Sequence, residues 1–167
     1  MRPQLPNEHS AHAIQPASTA AEQAWFDYPI RVQPHHTDYA GIAWHGSYIA
    51  WMEEARVEYL RSLGVDFTNL VALGCDLPVV DLSIRYHCSL PLGAAALVRT
   101  QMKNLDGVRL NWDYKIQPLD PGMIAVEAYA TAQVSLAVVD REKGKIMRQI
   151  PPEIAQVLKR LAGDASL

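Results

Sequence analysis

A carboxylate, a glycine and a histidine lie close together where the chain moves from a turn into a helical pattern. The segment reads DYAGIAWHGSY from position 38 to position 48. The first turn of a helix carries backbone N–H groups without partners and a partial positive charge. An acid beside such a helix start can act on a carbonyl group whose oxygen the N–H groups stabilise. The segment therefore predicts a site for chemistry at a carbonyl group.

One long helix follows this segment. Apolar residues recur with a period of 3.6 and predict a helix from Ser47 to Leu63, with Gly64 as the residue just past its end. The predicted buried face consists of Tyr48, Trp51, Met52, Ala55, Tyr59 and Leu63. A helix of this length needs a broad sheet to cover its apolar face.

The remaining chain supplies strands for that sheet. Alternating residues predict strands at 25–32, 80–88, 97–103, 109–116, 124–138 and 146–150, and Pro29 places the first one at an edge. Pro151-Pro152 opens a C-terminal helix that reaches about residue 162. The expected class is α+β, with an antiparallel sheet of about five strands wrapped around one long helix. Residues 1–22 are expected to form a disordered or loosely attached tail, and residues 23–167 a single domain.

Composition narrows the functional class. The chain has 167 residues, is 49% hydrophobic and carries a formal net charge of −3, which provides no general attraction for nucleic acid or anionic membranes. Two cysteines without metal-type spacing indicate reduced thiols. Since the sequence has neither an apolar run of about 18 residues nor a secretory leader pattern, we expect a cytoplasmic protein.

The segment and its helix resemble a known family. An Asp, a glycine-containing turn, two apolar residues, an aromatic residue and a Tyr further on are typical of hotdog-fold acyl-CoA thioesterases of the 4-hydroxybenzoyl-CoA thioesterase type. The continuation WMEEAR at 51–56 and the stretches LPVV at 77–80 and IRY at 84–86 also resemble that family. The resemblance covers about residues 26–150. Trp44 departs from it, because Tyr or Phe is commoner there.

The resemblance implies a set of roles. Asp38 would be the nucleophile or general base, and the backbone N–H at His45 would polarise the thioester carbonyl. Gly41, Trp44 and Tyr48 would shape the turn and the acyl pocket. The family further implies an acyl-CoA substrate, no cofactor, and a homodimer or homotetramer with active sites at subunit interfaces. The acyl group is left open between an aromatic ring and an aliphatic chain.

Each of these residues also has a purely structural interpretation. Asp38 can cap a turn through its own side chain, the His45 imidazole can be paired locally, and Tyr48 can be a core residue. The chain can accordingly be a non-catalytic acyl-thioester binding module, or a hotdog hydratase or dehydratase. Cys88 is expected to lie in the core.

A metal site is not expected. The spacing of His35, His36, Asp38 and His45 matches no ligand pattern, and an extended backbone would direct His35 and His36 to opposite sides. Cations for the CoA phosphates are available on the predicted strands, without a pattern that selects among them. They are Arg85, Arg99, Lys103, Arg109 and Lys115.

Overall fold

The computed structural model describes residues 25–161, except positions 121, 123, 124 and 126, and side chains up to residue 156. The predicted tail at 1–22 lies outside the described residues. None of the helices in the described part is long and apolar enough to cross a lipid bilayer.

A five-stranded antiparallel sheet forms the main layer. In chain order its strands are β1 (Phe26–Arg31), β3 (Val79–Tyr86), β4 (Ala95–Asp106), β5 (Arg109–Pro118) and β6 (Ala130–Ala137). Their order across the sheet is β1-β4-β5-β6-β3, so the proline-containing β1 is an edge strand as predicted. Three two-residue strands form a second small sheet: β2 (Cys75–Asp76), β7 (Val139–Asp140) and β8 (Lys145–Ile146).

Helix α1 (His45–Ser62) packs on one face of the five-stranded sheet. Tyr48, Trp51, Met52 and Ala55 are buried as predicted, together with Leu60, whereas the predicted core residues Tyr59 and Leu63 are only half-buried. Two further helices complete the fold, the short α2 (Phe67–Ala72), which the sequence analysis missed, and the predicted C-terminal helix α3 (Pro152–Leu161). The α+β prediction of a sheet around one long helix is confirmed.

Several boundaries differ from prediction. The strand expected at 146–150 is only the two-residue β8, and β3 and β4 are shifted by one to three residues at their ends. Helix α1 begins at His45, two residues before the expected Ser47, because its N-cap is Trp44, which has no side-chain cap bond and gives no sequence signal. Strand β6 begins at Ala130 and not at 124, because Ala128, Tyr129 and Ala130 are all buried and the alternation fails there. The backbone oxygen of Tyr129 accepts from two successive N–H groups, which marks the irregularity.

The core contains a buried cation that periodicity did not reveal. Arg56 is 4% exposed, and its Nη1 donates to the Tyr114 hydroxyl at 2.9 Å. Its Nε has no partner among the described atoms. Burial raises the pKa of Tyr114, and the nearby guanidinium opposes that shift. A buried charge with one neutral partner makes that hydrogen bond important for stability.

Replacing Tyr114 by Phe is expected to destabilise the protein by about 1–3 kcal/mol, since the Arg56 guanidinium would lose its hydrogen-bond acceptor. Urea unfolding measures the change. The matched control is Tyr59→Phe, which removes a half-buried hydroxyl that bonds to no described residue. Equal losses in the two variants would contradict the role given to the Arg56–Tyr114 bond.

Candidate active site

Asp38 lies in a tight turn that its own side chain helps to hold. Its Oδ1 accepts from the N–H groups of Ala40 (2.9 Å) and Ile42 (3.2 Å). Its backbone N–H donates to the Ile42 carbonyl at 2.9 Å, and the turn passes through Gly41 with φ +73°. Because a side chain is strained at this φ, a glycine suits the position. Oδ2 has no hydrogen-bond partner in the described part of the chain, so it is free for chemistry.

A neighbouring loop fixes this turn in space. The Ala43 N–H donates to the carbonyl of Leu90, and the Leu92 N–H donates to the carbonyl of Gly41, both at 2.9 Å. Single β-bridges join Thr37 to Ala43 and Ile42 to the loop at position 91. The backbone around Asp38 is therefore tied on both sides, and the carboxylate is exposed on a rigid support.

The start of α1 follows directly. Within the described residues, the backbone N–H groups of His45 and Gly46 make no hydrogen bond. The indole of Trp44 lies across this first turn, and a Cβ at position 46 would overlap it. The Trp44 and His45 rings meet edge to face at 5.0 Å. The helix start thus offers free N–H donors beside an aromatic wall.

A cleft of about 320 Å³ opens next to the helix start. It is lined by Ile42, Ala43, His45, Tyr48, Tyr86, His87, Cys88 and Ser89. The Tyr48 and Tyr86 rings meet edge to face at 5.0 Å, and burial raises the pKa of Tyr48 to about 12. The Tyr48 hydroxyl therefore keeps its proton at neutral pH and can donate a hydrogen bond. An apolar, aromatic lining with a few polar groups suits an acyl group.

The structure brings the predicted site residues together in part. Gly41 shapes the turn, while His45 and Tyr48 both line the cleft. Asp38 belongs to the adjoining turn and does not line the cleft, and Trp44 lies over the helix start. The five predicted residues therefore lie in the turn and in the first helical turn beside the cleft, and Asp38 is at the rim of the cleft, outside its lining.

Sequence reasoning missed the far wall of the cleft. Tyr86 ends strand β3, and His87 and Ser89 follow it; all three reach the cleft only through sheet pairing, so no local pattern marks them as site residues. Cys88, expected in the core, packs against it with a half-buried side chain and also lines the cleft. Its free thiol is consistent with the predicted reduced state.

The extended backbone expected at His35 and His36 is also wrong. Residues 34–36 form a 3₁₀ turn, which brings the two imidazoles to 4.0 Å between ring centres. No group of three potential metal-ligating side chains is found within the described residues. His36 is held by the Gln33 N–H, which donates to its Nδ1 at 3.0 Å, and by the edge of Trp51.

Of the five strand cations, three pair with carboxylates on the sheet. The pairs are Arg99–Asp27 (2.7 Å), Lys103–Asp113 (3.9 Å) and Lys115–Glu127 (2.7 Å). None of the five lines the cleft at the start of α1. Two of them, Arg85 and Lys115, do line one further cleft, but Asp113 also lines it and Lys115 is paired with Glu127, so its positive charge is largely balanced.

A second cleft, here called the basic cleft, lies between the β7–β8 hairpin and the start of α3. It has a volume of about 530 Å³ and is lined by Asp140, Lys143, Lys145, Ile146, Met147, Arg148, Gln149, Ile150, Pro151 and Pro152. Asp140 is occupied by the hairpin, since it bonds the Lys143 ammonium at 3.1 Å and two backbone N–H groups. Lys145 and Arg148 have no carboxylate partner within the described side chains. The basic cleft combines unpaired cations with an apolar wall.

Comparison with known proteins gives a consistent result. The sequence pattern of the thioesterase-like superfamily matches residues 32–158. A Synechocystis protein provisionally named an esterase is 47% identical over 163 residues, which is 96% of each chain. The acyl-CoA thioester hydrolase YbgC of Escherichia coli is 27% identical over 135 residues, 81% of this chain and 96% of that one. The crystal structure of a 1,4-dihydroxy-2-naphthoyl-CoA thioesterase from Synechocystis has the same fold, with a TM-score of 0.72 at 22% identity over 85% of this chain and 98% of that one.

The His36 contacts predict a pH effect on stability. Partial burial, followed by the charge of His35, lowers the pKa of His36 below its usual 6.5. The neutral ring is therefore favoured in the folded state, so its contribution is complete above pH 6.5 and is lost as pH falls through the lowered pKa. Replacing His36 by Gln is expected to flatten this part of the curve of unfolding free energy against pH. An unchanged curve would contradict the assignment.

Proposed function

The chain belongs to the thioesterase-like superfamily, and we propose that it hydrolyses an acyl-CoA thioester to a free acid and CoA. The observation that carries the proposal is the Asp38 turn beside the open N-terminus of α1. The carboxylate keeps Oδ2 free while Oδ1 holds the turn. Unpaired N–H groups at His45 and Gly46 suit the developing oxyanion of a thioester carbonyl.

The chemistry needs few groups. Asp38 either attacks the thioester carbon directly or takes a proton from the water that attacks it. The C–O bond forms, charge develops on the carbonyl oxygen at the helix start, and the C–S bond then breaks. CoA leaves as a thiolate, which needs no general acid. After direct attack, water hydrolyses the acyl anhydride formed on Asp38 and releases the acid, whereas after attack by water the proton held by Asp38 passes to solvent; both routes restore the carboxylate. The acyl group occupies the cleft, with Tyr48 and Tyr86 along its walls.

A non-catalytic acyl-thioester binding module is the second candidate. Oδ1 of Asp38 accepts hydrogen bonds from two backbone N–H groups, and a purely structural Asp would accept the same bonds. Charge separates the two candidates, because holding the turn requires only an acceptor oxygen, whereas catalysis requires the carboxylate.

Asp38→Asn is therefore the decisive variant. The Asn side-chain oxygen keeps the acceptor for the turn and removes the negative charge, so the protein is expected to fold normally. Release of CoA from an acyl-CoA panel, measured with a thiol reagent, is expected to fall by about 100-fold or more. Asp66→Asn serves as the matched control, because Asp66 accepts a backbone N–H bond at the start of α2, away from the cleft. Full turnover by Asp38→Asn, or none by the wild type on any thioester, would favour the binding module.

We further propose that the working unit is a homodimer joined through β3. This strand is the open edge of the sheet opposite β1. It exposes large apolar side chains, with Val79 and Tyr86 each 47% accessible and Val80 43%. An unpaired edge of this length invites a second strand, and two copies related by a two-fold axis pair in antiparallel fashion.

Such a dimer places the basic cleft of one subunit beside the cleft at the start of α1 in the other subunit, here called the acyl cleft. Within one subunit the two lie at opposite ends of β3, since the β7–β8 hairpin continues from β6 next to Val79, and the acyl cleft begins at Tyr86. The ends of β3 are seven residue steps apart, which at about 3.3 Å per step is about 23 Å. Antiparallel pairing sets the Val79 end of one subunit against the Tyr86 end of the other. We propose that Lys145 and Arg148 of one subunit hold the CoA phosphates for the active site of the other.

Charge reversal at Lys145→Glu and Arg148→Glu tests this assignment. The KM for an acyl-CoA is expected to rise at least tenfold, with a kcat close to wild type, because only binding of the phosphates is removed. A thioester of N-acetylcysteamine carries no phosphate and is expected to be turned over equally by both proteins. Unchanged KM for acyl-CoA would contradict the phosphate assignment.

Mixed dimers test whether the basic cleft acts across the interface. One subunit carries Asp38→Asn, and the other carries the charge reversals. If phosphates are held by the opposite subunit, the intact Asp38 faces an intact basic cleft and the low KM returns. If each subunit serves itself, the high KM persists.

A further inference from the structure

Ser47 has a buried hydroxyl whose hydrogen bond lies outside its own helix. The residue is 4% exposed in the first turn of α1, and its Oγ donates to the carbonyl oxygen of His36 at 2.9 Å. The same oxygen accepts the backbone N–H of Trp44 at 3.0 Å. A capping serine would accept an N–H of its own helix. Ser47 instead links the helix to a different part of the backbone.

The carbonyl that accepts the Ser47 bond lies between the acid and the helix. His36 is two residues before Asp38, and the next residue, Thr37, is bridged to Ala43. The carbonyl of His36 is therefore where the backbone leading to the acid meets the start of α1. Ser47 and the N-cap N–H bind it from the helix side. Movement of α1 relative to the Asp38 turn would have to break these bonds.

We propose that Ser47 is a positioning residue that fixes the distance between the Asp38 carboxylate and the N–H groups at the start of α1. The inference rests on the proposed thioesterase function. Ser47 acts through the backbone carbonyl of His36 and needs no contact with substrate. Attack on a carbonyl depends on alignment, and a misplacement of about 1 Å can reduce the rate by roughly 100-fold. A thioester can still bind the cleft when the alignment is lost, so kcat should change and KM should not.

Three substitutions at position 47 separate a hydrogen bond from simple packing. Ser47→Ala removes the hydroxyl, and Ser47→Cys keeps the volume with a weak donor. Both are expected to lower kcat for an acyl-CoA about tenfold or more while KM stays within twofold of wild type. Ser47→Thr retains the hydroxyl and is expected to recover most of the lost kcat.

Asp66→Ala is the matched structural control. It removes the side-chain acceptor that caps α2, bound to the Thr68 N–H at 3.0 Å, and should lower the melting temperature with kcat unchanged. A kcat within twofold of wild type in a folded Ser47→Cys protein would overturn the inference. The same kcat loss in Asp66→Ala would also overturn it, because loss of stability alone would then explain the effect. If the wild type itself releases no CoA, the proposed function fails, which is a distinguishable result.

Discussion

The geometry of the candidate site depends on how the backbone at 36–43 is held between two neighbours. On one side the start of α1 binds the carbonyl of His36. On the other side residues 90–92 bind Ala43 and Gly41. A loop with free backbone groups would sample many arrangements, but these bonds leave the Asp38 turn one position relative to the helix. An acid and an oxyanion site made from separate segments can work together only under such a restraint.

The sheet supports this arrangement through the long helix. Helix α1 rests on the sheet by its buried face, so the position of its first turn follows from packing along its whole length. The buried Arg56 adds a directional contact to that packing, because its guanidinium reaches the Tyr114 hydroxyl in the middle of β5. Hydrophobic contact alone allows a helix to slide or rotate slightly, whereas a hydrogen bond fixes its register. Helix α1 is therefore part of both the core and the candidate site.

Periodicity in the sequence predicts the parts that alternate regularly. The buried face around Trp51, the edge position of β1 and the C-terminal helix all follow from local patterns. The family motif identifies the Asp38 turn and the start of α1. The far wall of the cleft, from Tyr86 to Ser89, is invisible to such reasoning because sheet pairing brings it there. Arg56 is missed for a different reason, since a charge on a helix is expected to face water. The basic cleft escapes notice because it arises where a short hairpin meets a helix start.

The contact between Trp44 and Gly46 has a consequence for how the start of α1 is covered. The indole occupies the space where any side chain at position 46 would begin. A larger residue at 46 is tolerable only if the aromatic ring at 44 shrinks or swings away, and that would remodel the entrance to the helix. Since Trp44 is 45% exposed, its ring can turn toward solvent to make room for a Cβ at position 46. The absence of a side chain at 46 is thus what lets the indole rest on the first turn of α1 and cover it from solvent.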